Sequence, residues 1–122
     1  MVNSDQLVTA IVEGIQEKKG EEITLIDLKK VQNSITDHFV IATGNSDTHI
    51  DSIAKSVEIE VEKKLNDTPW QSEGRTNREW ILLDYGNVVV HIFKRETREK
   101  YNLENLWGDG QIISIKESKE SV

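Results

Sequence analysis

Three histidines, a glycine-led loop ahead of two glutamates, and an Asp-Tyr pair beside a turn are the residues whose types could carry chemistry in this 122-residue chain. The histidines, His38, His49 and His91, lack the spacing that holds zinc, with two of them one helical turn apart and a carboxylate between. His91 sits in the apolar run "VVVHIF", where a histidine reads first as a hydrogen-bonded core residue, with a ligand or proton-transfer role as the alternative. The stretch "TGNSDTH" has the form of an anion-binding turn, because free amides at a helix start attract phosphate. It has neither the Lys-Ser/Thr of a nucleotide-binding loop nor repeated glycines, so a plain strand-to-helix turn capped by Ser46 or Asp47 accounts for it. Gly44-Asn45-Ser46 also precedes Glu58 and Glu60 in the manner of a metal-held phosphoryl-transfer site. Two carboxylates one residue apart share a metal only if they share a face, as they would on a strand. The apolar spacing around them is helical, which turns Glu58 and Glu60 roughly 200° from each other. They read instead as a solvated face beside Lys55, Lys63 and Lys64. Asp84 and Tyr85 come with no nucleophile or second base, and an aspartate at a strand end usually bonds its own turn. The absence of cysteine removes thiolate nucleophiles, disulfides and zinc ribbons together. The expectation is a protein that is not an enzyme and needs no metal or cofactor.

The elements that position these residues follow from periodicity. Asn3 with Gln6 three residues later resembles a capping box, and Leu7, Val8, Ile11, Val12 and Ile15 recur at helical spacing as far as Gly20. "EITLIDLKK" and "HFVIATG" read as strands joined by the polar "VQNSITD". Ile50, Ile53, Ala54, Val57, Val61 and Leu65 mark one face of a second helix, interrupted by "NDTP". A short edge strand is expected near Trp70, where a proline bars a central ladder. Residues 80–84 and 88–93 form an antiparallel hairpin across Tyr85-Gly86-Asn87, with Gly86 and Asn87 supplying positive φ. Ile81 and Leu83 then face one side and Trp80 and Leu82 the other, and such apolar strands ask for cover on both faces. "ETREKYNLENLW" starts a last helix that Gly108 stops. This order predicts an α/β (α+β) fold, a mixed β-sheet flanked by helices, in one domain over residues 1–110. Residues 111–122 are expected to be a tail with one apolar patch and a charged, disordered end.

Charged residues make up 30% of the chain and hydrophobic ones 36%, a balance that suits a globular protein. The net charge of −7 argues against affinity built on neutralising many phosphates, so sequence-specific nucleic-acid binding is not expected; a basic protein partner fits better. One local basic cluster remains at Lys94, Arg95, Arg98 and Lys100. The first residues lack the build of a signal or transit peptide, and no run approaches the roughly 18 apolar residues of a membrane span. A cytoplasmic protein without a membrane partner is the expectation.

"EWILLDYGNVVVHIF" followed by "REKYNLENLWGDG", with "SITDHFVIATGNSDTHIDSIAKSVE" upstream, resembles the ribosomal silencing factor, or Iojap-related, family over about residues 5–110. That resemblance implies a nucleotidyltransferase-like fold without the catalytic carboxylates, in agreement with the reading of Glu58 and Glu60. It implies a factor that binds the large ribosomal subunit through its fourteenth protein, blocks joining of the small subunit, lowers translation when nutrients are short, and forms a homodimer when free. It also implies partner-binding roles for Trp80, Asp84, Gly86, Tyr101, Leu103, Leu106 and Trp107. Trp80 is the first candidate anchor, since Trp and Tyr dominate interface energetics. The competing reading makes Trp80 a core residue and has Leu103, Leu106 and Trp107 pack the last helix. Two further readings stay open: an adaptor for large-subunit maturation, and a nucleotidyltransferase-like enzyme. The chain departs from the family pattern at Asn87, where an aspartate often follows the glycine, and in its tail after Gly110.

Overall fold

The Asn3 side chain accepts a hydrogen bond of 2.9 Å from the Gln6 amide and starts α1, Ser4–Glu17, as the capping pattern predicts. The computed structural model describes residues 3–107 and 110–116. Beyond α1 the chain runs through β1 (Glu21–Asp27), β2 (His38–Gly44), α2 (Asp47–Leu65), β3 (Gln71–Glu73), β4 (Trp80–Asp84), β5 (Val88–Lys94), α3 (Arg95–Tyr101), α4 (Leu103–Leu106) and β6 (Gln111–Ser114). The strands form one mixed sheet in the order β3-β4-β5-β2-β1-β6, antiparallel except where β2 runs parallel to β5.

Period-2 alternation divides the sheet residues between two unequal layers. On one face Ile23, Val40, Ala42, Ile81, Leu83, Val90 and Ile92 pack under α1 and α2. The helices approach closely because residue 14 is glycine: a Cβ there would lie 2.7 Å from the Val57 Cα. The opposite face carries a smaller core of Ile26, Leu28, Ile41, Phe93 and Leu103, against which Phe39, Trp80 and Trp107 are only partly buried. Cover on both faces of the hairpin was expected, yet the short α3 and α4 leave this second face partly open.

Three local departures from expectation have physical causes. Tyr85 donates its amide to the Val88 carbonyl at 2.9 Å, so the hairpin closes over two residues, and Gly86 takes positive φ (+90°) while Asn87 does not. The last helix is split by Asn102 in the left-handed region (φ 48°), which ends α3 and opens α4. Gly108 lies outside the described residues. The apolar patch of the expected tail is β6, which pairs antiparallel with β1 from Gln111 to Ser114 and so extends the sheet beyond residue 110. The charged end at 117–122 lies outside the described residues.

Candidate partner interface

Ser46, His49, Glu58, Glu60 and Asp84, singled out for chemistry, are occupied by structural work. Ser46 caps α2 by accepting from the His49 amide at 3.1 Å, and His49 Nδ1 accepts from the Asn45 amide at 2.9 Å, so the glycine-led loop is closed on itself. Glu58 pairs with Arg75 from the β3–β4 connection, whereas Glu60 pairs with Lys64 one turn along α2 at 3.1 Å. Different cationic partners hold the two carboxylates, as their helical spacing requires. Among the described residues no cluster of three or more histidines, aspartates and glutamates could hold a metal ion. Asp84 accepts from the Gly86 amide at 2.8 Å, the expected turn bond. Three of the four residues of the basic cluster are likewise tied down: Lys94 binds Asp47 at 3.0 Å, Arg95 binds Glu21 and Glu22, and Arg98 binds Glu104 at 2.8 Å.

The open sheet face presents a different kind of surface. Trp80 begins β4 opposite Phe93 on β5, and their rings stack with centroids 4.8 Å apart. Tyr101, at the end of α3, lies against the other side of the cluster, its ring centroid 4.8 Å from that of Trp80. Phe39 on β2 meets Trp107 edge-on at 5.5 Å and His91 edge-on at 4.7 Å. Trp80 and Phe39 thus flank the buried His91, with Tyr101 against Trp80 and Trp107 against Phe39, and each of the four keeps part of its surface in solvent. Leu106 adds an aliphatic side chain that is 70% exposed. Large, rigid rings held half-buried bury area on docking with little further loss of conformational entropy.

Arg98 fixes the elements that build this face. Its guanidinium, buried with the side chain, donates to the Glu22 carbonyl at 2.6 Å and to Thr43 Oγ1 and Thr24 Oγ1 at 2.9 Å each. With the Glu104 pair, these bonds fasten α3 and α4 to β1 and β2, and set the positions from which Tyr101 and Leu106 project. A rigid guanidinium fork suits such multiple attachment.

Of the seven residues named for partner binding, Trp80, Tyr101 and Trp107 fall in one aromatic cluster, Trp80 against His91, Tyr101 against Trp80 and Trp107 joined through Phe39. Leu106 is exposed on α4, while Leu103 is buried at 7% exposure and is a packing residue of that helix. Asp84 stands at the far end of β4, roughly 13 Å from Trp80 along the strand, and Gly86 lies in the turn beyond it. There Gly86 lies under the exposed Trp70: a Cβ on it would be 3.0 Å from the indole Cζ2. Phe39 and His91 are the members that sequence reasoning missed as parts of a docking surface.

The His91 imidazole accepts a 3.1 Å hydrogen bond at Nδ1 from the Trp80 indole Nε1. Burial pushes its pKa down to about 3, so the ring is neutral. His38, also buried, is shifted down by the same desolvation.

Comparison with known proteins gives a consistent result. The family model described as ribosomal silencing factor during starvation matches residues 2–122. A ribosomal silencing factor of Halalkalibacterium halodurans is 31% identical over 94% of this chain and 97% of its own length. A mouse protein named mitochondrial assembly of ribosomal large subunit protein 1 is 29% identical over 82% of this chain and 44% of its own. A crystal structure of a Chromobacterium violaceum protein superposes with a TM-score of 0.82 at 31% identity, covering 97% of this chain and 98% of that one.

Proposed function

Because the chain belongs to the ribosomal silencing factor family, we propose that it binds the large ribosomal subunit through the open aromatic face and represses translation by keeping the small subunit away. The partner surface is that of the fourteenth large-subunit protein, and the mode of action is steric. The observation that carries this reading is the half-exposed cluster of Trp80, Tyr101, Phe39 and Trp107 on the sheet face that α1 and α2 leave uncovered. An interface needs such anchors in place of acids and bases, and the helical setting of Glu58 and Glu60 speaks against phosphoryl transfer. The net charge of −7 suits a basic ribosomal protein. The protein works in the cytoplasm, together with the ribosomes on which it acts. When free it forms a homodimer.

Subunit joining followed by light scattering tests the reading. The protein added to large subunits before small ones is expected to reduce the joined fraction, and Trp80→Ala to restore it; equal joining with and without the wild-type protein would refute it. A second reading, an adaptor in large-subunit maturation through the same face, is favoured by the name of the mouse relative. Accumulation of immature large subunits when the protein is depleted, with joining of mature subunits unaffected, would select that reading.

A further inference from the structure

Position 91 is an expensive place for a histidine. The side chain is 4% exposed, and Nε2 has no hydrogen-bond partner among the described residues. A buried polar atom left unpaired opposes folding, and the neighbours on the same sheet face, Ile41 on β2 and Phe93 two residues along β5, are apolar. Leucine or phenylalanine would fill the space without the unpaired Nε2 donor, at the cost only of the acceptor that the part-buried Trp80 indole uses.

What histidine supplies is an acceptor. An indole N–H can only donate, so the 3.1 Å bond from Trp80 Nε1 assigns the lone pair to Nδ1 and the proton to Nε2. The hairpin register makes this reach possible. Trp80 is opposite Phe93 and Leu82 is opposite His91, so His91 is the diagonal neighbour of Trp80 on one face. The indole is thereby held by the Phe93 and Tyr101 rings, each with its centroid 4.8 Å away, and by one directional bond at its nitrogen. Stacking alone would leave it free to turn in the plane of contact.

We propose that His91 is a positioning residue: it fixes the orientation of the Trp80 indole on the docking face, and it does so at the expense of core stability. This rests on the reading of that face as the large-subunit interface. A residue serving only the fold would lose stability when replaced by an aliphatic of similar size, whereas His91 should behave in the opposite way.

Three measurements on wild type, His91→Leu and His91→Asn test this. The side-chain oxygen of asparagine can accept where Nδ1 does. In 15N-labelled protein, with the Trp80 indole signal assigned by Trp80→Phe, hydrogen exchange at Trp80 Nε1 is expected to be about tenfold faster in His91→Leu and largely restored in His91→Asn. Large-subunit affinity by co-sedimentation should fall about fivefold in His91→Leu and recover in His91→Asn, the size of one hydrogen bond. The Tm of His91→Leu should equal or exceed that of wild type. Unchanged exchange in His91→Leu, or an affinity loss that merely follows a lower Tm, would overturn the inference. If wild type itself does not bind large subunits, the docking reading falls, while the exchange comparison still decides whether His91 holds the indole.

Discussion

The pKa of His91, held near 3 by burial against 6.5 for a free imidazole, makes folding sensitive to acid. In the unfolded chain the ring takes up a proton below about pH 6.5, whereas the folded chain excludes it until about pH 3. This proton linkage costs nothing well above pH 6.5, and the penalty grows as pH falls through 6.5 toward 3; His38, shifted the same way by burial, adds to it. Urea unfolding is therefore expected to show wild type losing about 2 kcal/mol more than His91→Leu between pH 7 and pH 5. Equal losses would mean that His91 is hydrated and not buried. The sequence makes Trp80 visible as a candidate because it is a large aromatic at the head of a hairpin. Its bond to His91 is hidden by one residue of register: a three-residue loop would put Trp80 opposite Ile92 and on the other face from His91. The two-residue turn at Gly86-Asn87 moves the pairing by one and brings them together.

At the level of elements, the two helix starts are legible because Asn3 and Ser46 are strong caps, and the hairpin because Gly86 interrupts two apolar runs. The element β6 is not legible: four exposed residues, a short apolar patch without period-2 alternation, gain their strand conformation from pairing with β1. Nor is the break at Asn102, a non-glycine residue in the left-handed region within an otherwise helical pattern. Two substitutions separate the layers. Gly14→Ala forces a Cβ to 2.7 Å from the Val57 Cα and strains the Ser56 Oγ bond to the Gly14 carbonyl, now 2.7 Å. It should cost about 1–3 kcal/mol in chemical denaturation and leave the large-subunit affinity of the folded protein unchanged. Arg98→Met removes the ties from α3 to β1 and β2 and strands the oxygens of Thr24, Thr43 and Glu22. It should destabilise by about 3 kcal/mol and also weaken large-subunit binding, because Tyr101 and Leu106 lose their footing. Equal binding by the folded fractions of the two variants would contradict the division of labour between the layers.

Taken as a whole, the molecule has one sheet face committed to a helical core and one left half-covered, and this asymmetry underlies the functional account. Cover from α1 and α2 is readable in their long apolar stripes; the openness of the other face depends on how little α3 and α4 conceal, which no local pattern records. Glu58 belongs to the helical layer, so Glu58→Ala should leave large-subunit binding at the wild-type level, and the protein should show no magnesium-dependent nucleotide binding in calorimetry. The most direct test of the account is co-sedimentation of the purified protein with isolated large and small subunits, with Trp80→Ala alongside. The account predicts pelleting with large subunits alone and at least tenfold weaker pelleting of a folded Trp80→Ala, the loss of a hot-spot aromatic. Absence of the wild-type protein from the large-subunit pellet, or equal pelleting of both proteins, would contradict it.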